Sequence, residues 1–185
     1  MPPESLRETL IAAALRLLEE GDEEVGLRAV ARAAGVSAMA PYRHFADKTA
    51  LFAAVSGRGF AMLHAALSAA DSHPDPREAL LAQGLAYRAF ARANPALFRL
   101  MFSDPLGHPT PDPARPADHG AYGVLAARVA QLVPERAEAA TLACWSIVHG
   151  LAVLELDGRL PGLDEAGAES ALRLFVTALA EGQPR

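Results

Sequence analysis

Residues 27–52 read LRAVARAAGVSAMAPYRHFADKTALF, and the fold turns on this stretch. Leu27, Val30, Ala31 and Ala34 fall at the i, i+3, i+4, i+7 spacing of one buried helix face, which predicts a short helix over 27–34. Gly35 ends it, because glycine accepts the left-handed conformation that a helix C-terminus needs. Val36 is an apolar plug in the turn, and Ser37 is a good N-cap for a second helix. That helix carries Tyr42, Arg43 and His44 and ends near Phe45. Two short helices joined by a four-residue turn containing glycine make a helix-turn-helix pattern, whose second helix enters the DNA major groove. The competing reading is an ordinary helical hairpin. Charge favours the first, since between Gly26 and Arg58 only Asp47 opposes Arg28, Arg32, Arg43, Lys48 and Arg58. Lys48, the one lysine of the chain, falls in the first turn of the next helix, where backbone N–H groups also favour a phosphate.

Working outward, the rest of the chain reads as helix after helix. Leu6, Leu10, Ala13, Ala14, Leu17 and Leu18 share one face of a first helix over about Pro3–Glu20. Asp47 caps a long helix reaching about Ala70, and Asp71–Asp75 breaks it. A helix from Pro76 to about Ala93 stops at Asn94-Pro95, since a residue before proline avoids helical angles. Pro95–Phe102 is a short, very apolar helix. Five prolines and Gly107 between Ser103 and Asp118 predict a non-helical loop. Helices follow over Ala117–Leu132, Pro134–Asp157 and about Leu163–Glu181. The expected architecture is all-α: a three-helix DNA-binding domain over 1–60 and a helical bundle over 61–185.

The Pro134–Asp157 helix bears on quaternary structure. From Ala139 to Leu154 its polar side chains are only Thr141, Ser146 and His149, so apolar groups surround the axis. Such a helix must be buried on all sides. The last helix adds a full apolar face with Ala168, Ala171, Leu172, Phe175, Val176 and Leu179. Pairing both with their copies in a second subunit would bury them in an isologous interface, with Leu151, Leu154, Leu172, Phe175, Val176 and Leu179 at its centre. The central helix of a single bundle is the alternative.

Residues 6–60 resemble the DNA-binding domain of the TetR family of transcriptional regulators. The matching pattern is Ala31-x-x-Ala34-Gly35-Val36-Ser37, then Tyr42-x-x-Phe45, then Lys48-x-x-Leu51. The resemblance implies that Tyr42 and Lys48 contact backbone phosphates and that Ser37 to Arg43 lie in or beside the major groove. It extends to the C-terminal half, where Tyr87-Arg88-Ala89-Phe90-Ala91, Asn94-Pro95-Ala96-Leu97-Phe98 and Trp145-x-x-x-His149-Gly150 resemble the WHG-type ligand-binding domain of a subset of that family. Trp145 and His149, four apart, share a helix face. Gly150 costs about 1 kcal/mol inside a helix, which points to close approach of a backbone, a ligand or a kink.

The resemblance implies a ligand-responsive repressor, expected to bind double-stranded palindromic operator DNA as a homodimer. Arg28, Tyr42, Arg43 and Lys48 would supply salt-dependent phosphate affinity, with His44 beside them. Ala38, Met39 and Ala40 can touch thymine methyls, while Ser37 and Arg43 can hydrogen-bond base edges. Arg43 could equally bind phosphate, and the sequence leaves both roles open. Pro41 departs from the commoner family pattern: as the fourth residue after a Ser37 cap it cannot donate the expected bond to the cap carbonyl. Either the cap slides to Ala38 or the first turn is distorted. Candidate effector contacts are Phe60, His64, Tyr87, Phe90, Phe98, Met101, Phe102, Trp145 and His149, mostly apolar with a few polar handles, which suits a neutral, apolar small molecule. The same residues also describe a core, with Trp145 and His149 merely packed.

Other classes find little support. The chain has 185 residues, a net charge of −5 and a lone cysteine, Cys144, so it requires no intramolecular disulfide. The polar start MPPESLRETL is unlike a secretory signal, and no uninterrupted run of about 20 apolar residues suits a membrane span. A cytoplasmic location is expected. No Gly-rich phosphate loop, HExxH or CxxC is present, and the six histidines are scattered, so neither an enzyme nor a metal or cofactor is expected. The alternative function is a helical small-molecule-binding or thiol redox-sensing protein that uses Cys144 without DNA.

Overall fold

The structure is a computed structural model and describes residues 5–21, 25–102 and 120–182. It is all-α, with eight α-helices among the described residues and no strand there. The expected 103–118 loop and the first residues of the Pro3 and Ala117 helices lie outside the described residues.

The first unit comprises the described residues of 5–60 and 94–102. Helix α1 (Leu6–Glu19) starts at Ser5, whose hydroxyl accepts from the Glu8 amide, and buries Leu10, Ile11, Ala13 and Ala14. Helix α2 (Leu27–Ala33) buries Leu27, Val30 and Ala31, the periodic face read from the sequence. It closes in a Schellman motif: Gly35, at φ 69°, donates to the Arg32 carbonyl, and Val36 donates to the Ala31 carbonyl. Arg16 of α1 donates to the last-turn carbonyl of Ala33 and so satisfies another group at that helix end. Helix α3 (Lys48–Ala70) starts where Asp47 Oδ1 accepts the Ala50 amide at 2.8 Å. Its first half belongs to this unit and its second half to the other.

Helix α5 (Pro95–Phe102) packs with the first unit, although the sequence reading assigned everything past residue 60 to the C-terminal bundle. Glu19 explains the attachment: its carboxylate accepts from the α5 amides of Leu97 and Ala96 and places negative charge at that helix N-terminus. Leu97 and Met101 then lie against Gly59, where an added Cβ would sit 2.5 Å from the Met101 sulfur.

The second unit comprises 61–93 and 120–182. Helix α4 (Pro76–Ala93) is its hub and packs on α6 (Ala121–Leu132), α7 (Ala137–Leu156) and α8 (Glu165–Glu181). A core of Leu80, Val129, Val133, Ala140, Cys144 and Val176 joins them. The predicted Pro134–Asp157 helix begins as a 3₁₀ turn, Pro134–Arg136, before α7 proper. Asp164 caps α8 through the Gly167 amide.

Helix α7 is half exposed. Its core side is made of small residues, Ala140, Thr141, Cys144 and Ala152 with Val148, while Leu142, Ile147 and Leu154 face outward. On length and composition, α3 and the stretch Pro134–Leu156 could each cross a bilayer, contrary to the expectation drawn from uninterrupted apolar runs. In α7 that apolarity is divided between the core of the second unit and the exposed stripe.

Candidate nucleic-acid interface and effector-domain cluster

The helix-turn-helix arrangement is present, but its second element is not a regular α-helix. Ala40 donates to the Ser37 carbonyl, Arg43 to Ala40 and His44 to Pro41, giving a tight turn followed by the 3₁₀ segment Pro41–Arg43. The cause is Pro41. An α-helical first turn would have the amide of residue 41 donate to Ser37, and proline has no N–H. The carbonyl is taken instead by Ala40, one residue earlier, which is the 3₁₀ pattern. Of the two outcomes the sequence allowed, the distorted first turn is the one found.

Two apolar anchors hold this segment. Pro41 and Phe45 are buried, with the Phe45 amide donating to the Pro41 carbonyl at 2.9 Å and the Arg7 guanidinium 5.4 Å from the Phe45 ring centre. Pinned at these points, the segment turns Ser37, Ala38, Met39, Tyr42, Arg43 and His44 to solvent, with Ala40 half-buried. Met39 is 68% exposed, a large apolar side chain without cover. Beside the segment runs an open groove of about 580 Å³ whose walls include Arg28, Arg32, Tyr42, Asp47 and Lys48. The Asp47 carboxylate is engaged in capping α3, and the Lys48 ammonium rests 5.0 Å from the Phe52 ring centre.

Ion pairing sorts the basic residues. Among the described residues of this unit the pairs are Arg7–Glu8, Arg16–Glu20 and Arg58–Glu8. Arg58, counted in the basic stretch from sequence, is therefore partly neutralised. Arg28, Arg32, Arg43 and Lys48 make no salt bridge among the described residues. They are exposed cations around one groove and one exposed segment, without a salt bridge among the described residues, and their field attracts anions.

The proposed effector residues fall in two groups. Phe60, Phe98, Met101 and Phe102 lie in the first unit, where Phe102 stacks edgewise on Phe60 at 5.5 Å and tilts on Phe98 at 4.8 Å. Phe98 and Met101 are fully buried there. His64, Tyr87, Phe90, Trp145 and His149 lie in the second unit. Tyr87 is buried on α4, and its hydroxyl is 2.9 Å from His149 Nδ1 on α7. Trp145 and His149, one turn apart, approach with ring centres 6.1 Å apart, and Tyr122 of α6 meets Trp145 edge-on at 5.9 Å. Burial pushes the Tyr87 phenol well above its ordinary range, against the opposing hydrogen bond from Trp145, and burial pulls His149 below its own. The cluster is therefore uncharged near neutral pH. Among the described residues nothing lies within 4 Å of a would-be Cβ on Gly150, so none of them makes the close approach inferred from its cost.

Sequence reasoning missed the charged network next to this cluster. Arg88, only 1% exposed, donates to both oxygens of Glu155 at 2.6 and 2.8 Å and to Glu165. Arg92 also bonds Glu165. The network ties α4 to the end of α7 and the start of α8. Burial alone would lower the Arg88 pKa, but the two carboxylates outweigh it and the guanidinium stays charged. Asp71 forms a second polar tie, accepting from Gln83 of α4 and from Arg128 of α6. Only an arginine amid the apolar positions of α4 could have hinted at the first network.

Two of the proposed interface residues point inward. Leu172 is 5% exposed and touches Gly84 of α4, and Val176 belongs to the core. Phe175 and Leu179 are half-buried against that core, Leu151 is half-buried, and Leu154 is exposed. The outward residue of α8 is Leu174, 73% exposed. Cys144 is buried, with its thiol pushed up to about 11, so it stays protonated and offers little to thiol redox sensing. Among the described residues no three His, Cys, Asp or Glu side chains converge.

A helix-turn-helix with exposed cations in one unit and a helical bundle in the other define a DNA-binding regulatory protein. Residues 10–55 match the family model of bacterial regulatory proteins of the tetR family, and residues 80–179 match that of the tetracyclin repressor-like C-terminal domain. The chain belongs to the TetR family of transcriptional regulators, a family of regulators with a C-terminal ligand-binding domain. It is 27% identical over 186 residues to an uncharacterised HTH-type transcriptional regulator of Mycobacterium tuberculosis, covering all of this chain and 84% of that protein. A protein of unknown function from Rhodococcus sp. RHA1 superposes with a TM-score of 0.80 at 28% identity over the full length of both. A TetR-like transcriptional regulator from the same organism has the same fold, with a TM-score of 0.72 at 19% identity, over 99% of this chain and all of that one.

Proposed function

We propose that the protein is a ligand-responsive repressor that binds a palindromic operator as a homodimer in the cytoplasm, where the chromosome is accessible. The observation that carries this reading is the exposed segment Ser37–His44 flanked by unneutralised Arg28, Arg32, Arg43 and Lys48. Arg28, Tyr42 and Lys48 hold phosphates, and the exposed segment faces the major groove. Dimerisation is supported by Leu142, Ile147 and Leu154 of α7 and Leu174 of α8, large apolar side chains exposed in the single chain. Gly150, with no described residue within 4 Å of a would-be Cβ, allows a second copy to approach α7 closely.

A neutral, largely apolar effector fits the uncharged Tyr87–Trp145–His149 cluster. Such a molecule releases DNA only by binding the DNA-incompatible state more tightly. The test is electrophoretic retardation of genomic fragments by the purified dimer. Salt-sensitive retention of a palindromic motif supports the reading. A folded dimer that retains no DNA above background contradicts it.

A further inference from the structure

We infer that Met39 is an oxidation site that controls DNA affinity: an oxidant of the hydroperoxide class converts its thioether to the sulfoxide, and a polar group then stands where the protein meets DNA. The inference rests on the operator-binding reading above and adds to it a means of release that needs no effector.

Sulfur is unequally accessible in this chain, which has four methionines and one cysteine. Of those described, Met101 is fully buried against Gly59, Met62 is half-buried on α3, and Met39 is 68% exposed. The exposure has a local cause. The Ala40 amide donates to the Ser37 carbonyl at 2.9 Å, so Met39 lies in the tight turn that precedes the Pro41–Arg43 segment. Pro41 and Phe45 take the buried positions, and the neighbours Ala38 and Ala40 are too short to shield a methionine. Cys144, the other sulfur with redox chemistry, is the slower group. Only a thiolate attacks a peroxide well, and burial pushes this thiol up to about 11. A thioether has no proton to lose, so access to solvent decides its reactivity.

In the step, the sulfur lone pair attacks the terminal oxygen of the hydroperoxide. The S–O bond forms as the O–O bond breaks, and the proton on the transferred oxygen passes to the departing one. Sulfur loses two electrons, the peroxide gains them, and the products are the sulfoxide and water or an alcohol. The consequence for DNA is one of polarity. Met39 shares its exposed segment with Ser37, Tyr42, Arg43 and His44, the surface that meets DNA in the reading above. A sulfoxide oxygen is a strong acceptor, and DNA presents acceptors on its phosphates and on most base edges of the major groove. Closing the interface then strips water from the S=O group without an equivalent partner, which opposes binding. Methionine sulfoxide reductases, one for each sulfoxide epimer, reverse the change, so it can act as a switch.

The experiment treats the full-length protein with hydrogen peroxide, maps each sulfur by peptide mass spectrometry and follows binding by fluorescence anisotropy, with helicity checked by circular dichroism. Met39 should be oxidised before Met62, Met101 and Cys144. Affinity for the motif recovered from genomic selection should fall roughly tenfold or more at unchanged helicity. Treatment with both reductases should restore it. Met39→Leu, whatever its own affinity, should keep that affinity through the same exposure to peroxide. Earlier oxidation of Met62, Met101 or Cys144 overturns the site. Undiminished binding by protein oxidised at Met39 overturns the effect, as does an equal loss in Met39→Leu; either leaves operator binding itself standing. Untreated protein that forms no sequence-preferring complex overturns the operator-binding reading, and this inference with it.

Discussion

Replacing Lys48 with alanine removes one exposed cation from the groove of each subunit without touching the core, and the effect on DNA binding follows from counting charges. Arg28, Arg32 and Lys48 line the groove. A dimer brings six such cations, so log Kobs against log salt should have a slope of about −5. Between 50 and 200 mM salt the affinity should then fall by roughly 10³-fold. Lys48→Ala removes two of the six and should bring the slope to about −3.6, weakening all DNA sequences alike. Folding should be preserved, because Lys48 is exposed and its contact with Phe52 is at a surface. The assay is fluorescence anisotropy with operator and scrambled duplexes across a salt series, with helicity checked by circular dichroism. An unchanged slope in a folded variant would refute a phosphate role for Lys48. A loss confined to the operator would show that it reads bases instead.

Other predictions concern the second unit. Arg88→Met leaves Glu155, mostly buried, without its bidentate partner and should cost about 2–4 kcal/mol in urea unfolding, less than a fully buried pair because Arg92 lies 3.5 Å away; a loss below about 1 kcal/mol would show the network to be ornamental. Leu142→Glu combined with Leu174→Glu should give folded monomers by analytical ultracentrifugation, since these side chains are 55% and 73% exposed, whereas Leu172→Glu should unfold the bundle. A dimer that persists in the double variant would place the interface elsewhere. Burial lowers the His149 pKa, so the unfolded chain takes up that proton first as pH falls below about 6.5, and stability should drop there. His149→Gln should flatten the stability profile in that window, and an unchanged profile would mean that His149 is not the group responsible. Glu165 has its pKa lowered first by Arg92 and then by Arg88, so its contribution is present above the ordinary carboxylate range and disappears on further acidification.

Local rules made most helices legible in advance. Asp47 as a cap, Gly35 as a stop and Pro76 and Pro95 as starts act through bonds within a few residues, and each lies where the sequence placed it. The disturbance at Pro41 was readable for the same reason, since the missing donor is in the sequence. The attachment of α5 was not, because it depends on Glu19, 78 residues from Leu97. Nor was the Arg88 network, whose partners are 67 and 77 residues away.

Helix α7 shows a different limit. Apolar residues surround its axis, so periodicity cannot say which side faces α4. Close packing put alanine, threonine and cysteine inside and left Leu142, Ile147 and Leu154 outside. For α8 the apolar face was visible, yet Leu172 and Val176 proved to be the protomer's own core, with the outward position held by Leu174. At the candidate DNA surface the sequence named the exposed side chains, but separating Arg43 from the groove cations required coordinates.

Selection of genomic fragments by the purified protein at two salt concentrations, followed by sequencing of the retained DNA, tests sequence-specific operator binding most directly. A palindromic motif should be recovered, its yield falling steeply at the higher salt and abolished by joint replacement of Met39 and Arg43 with alanine. Retention of DNA without a motif, or a motif unaffected by that double replacement, would contradict it.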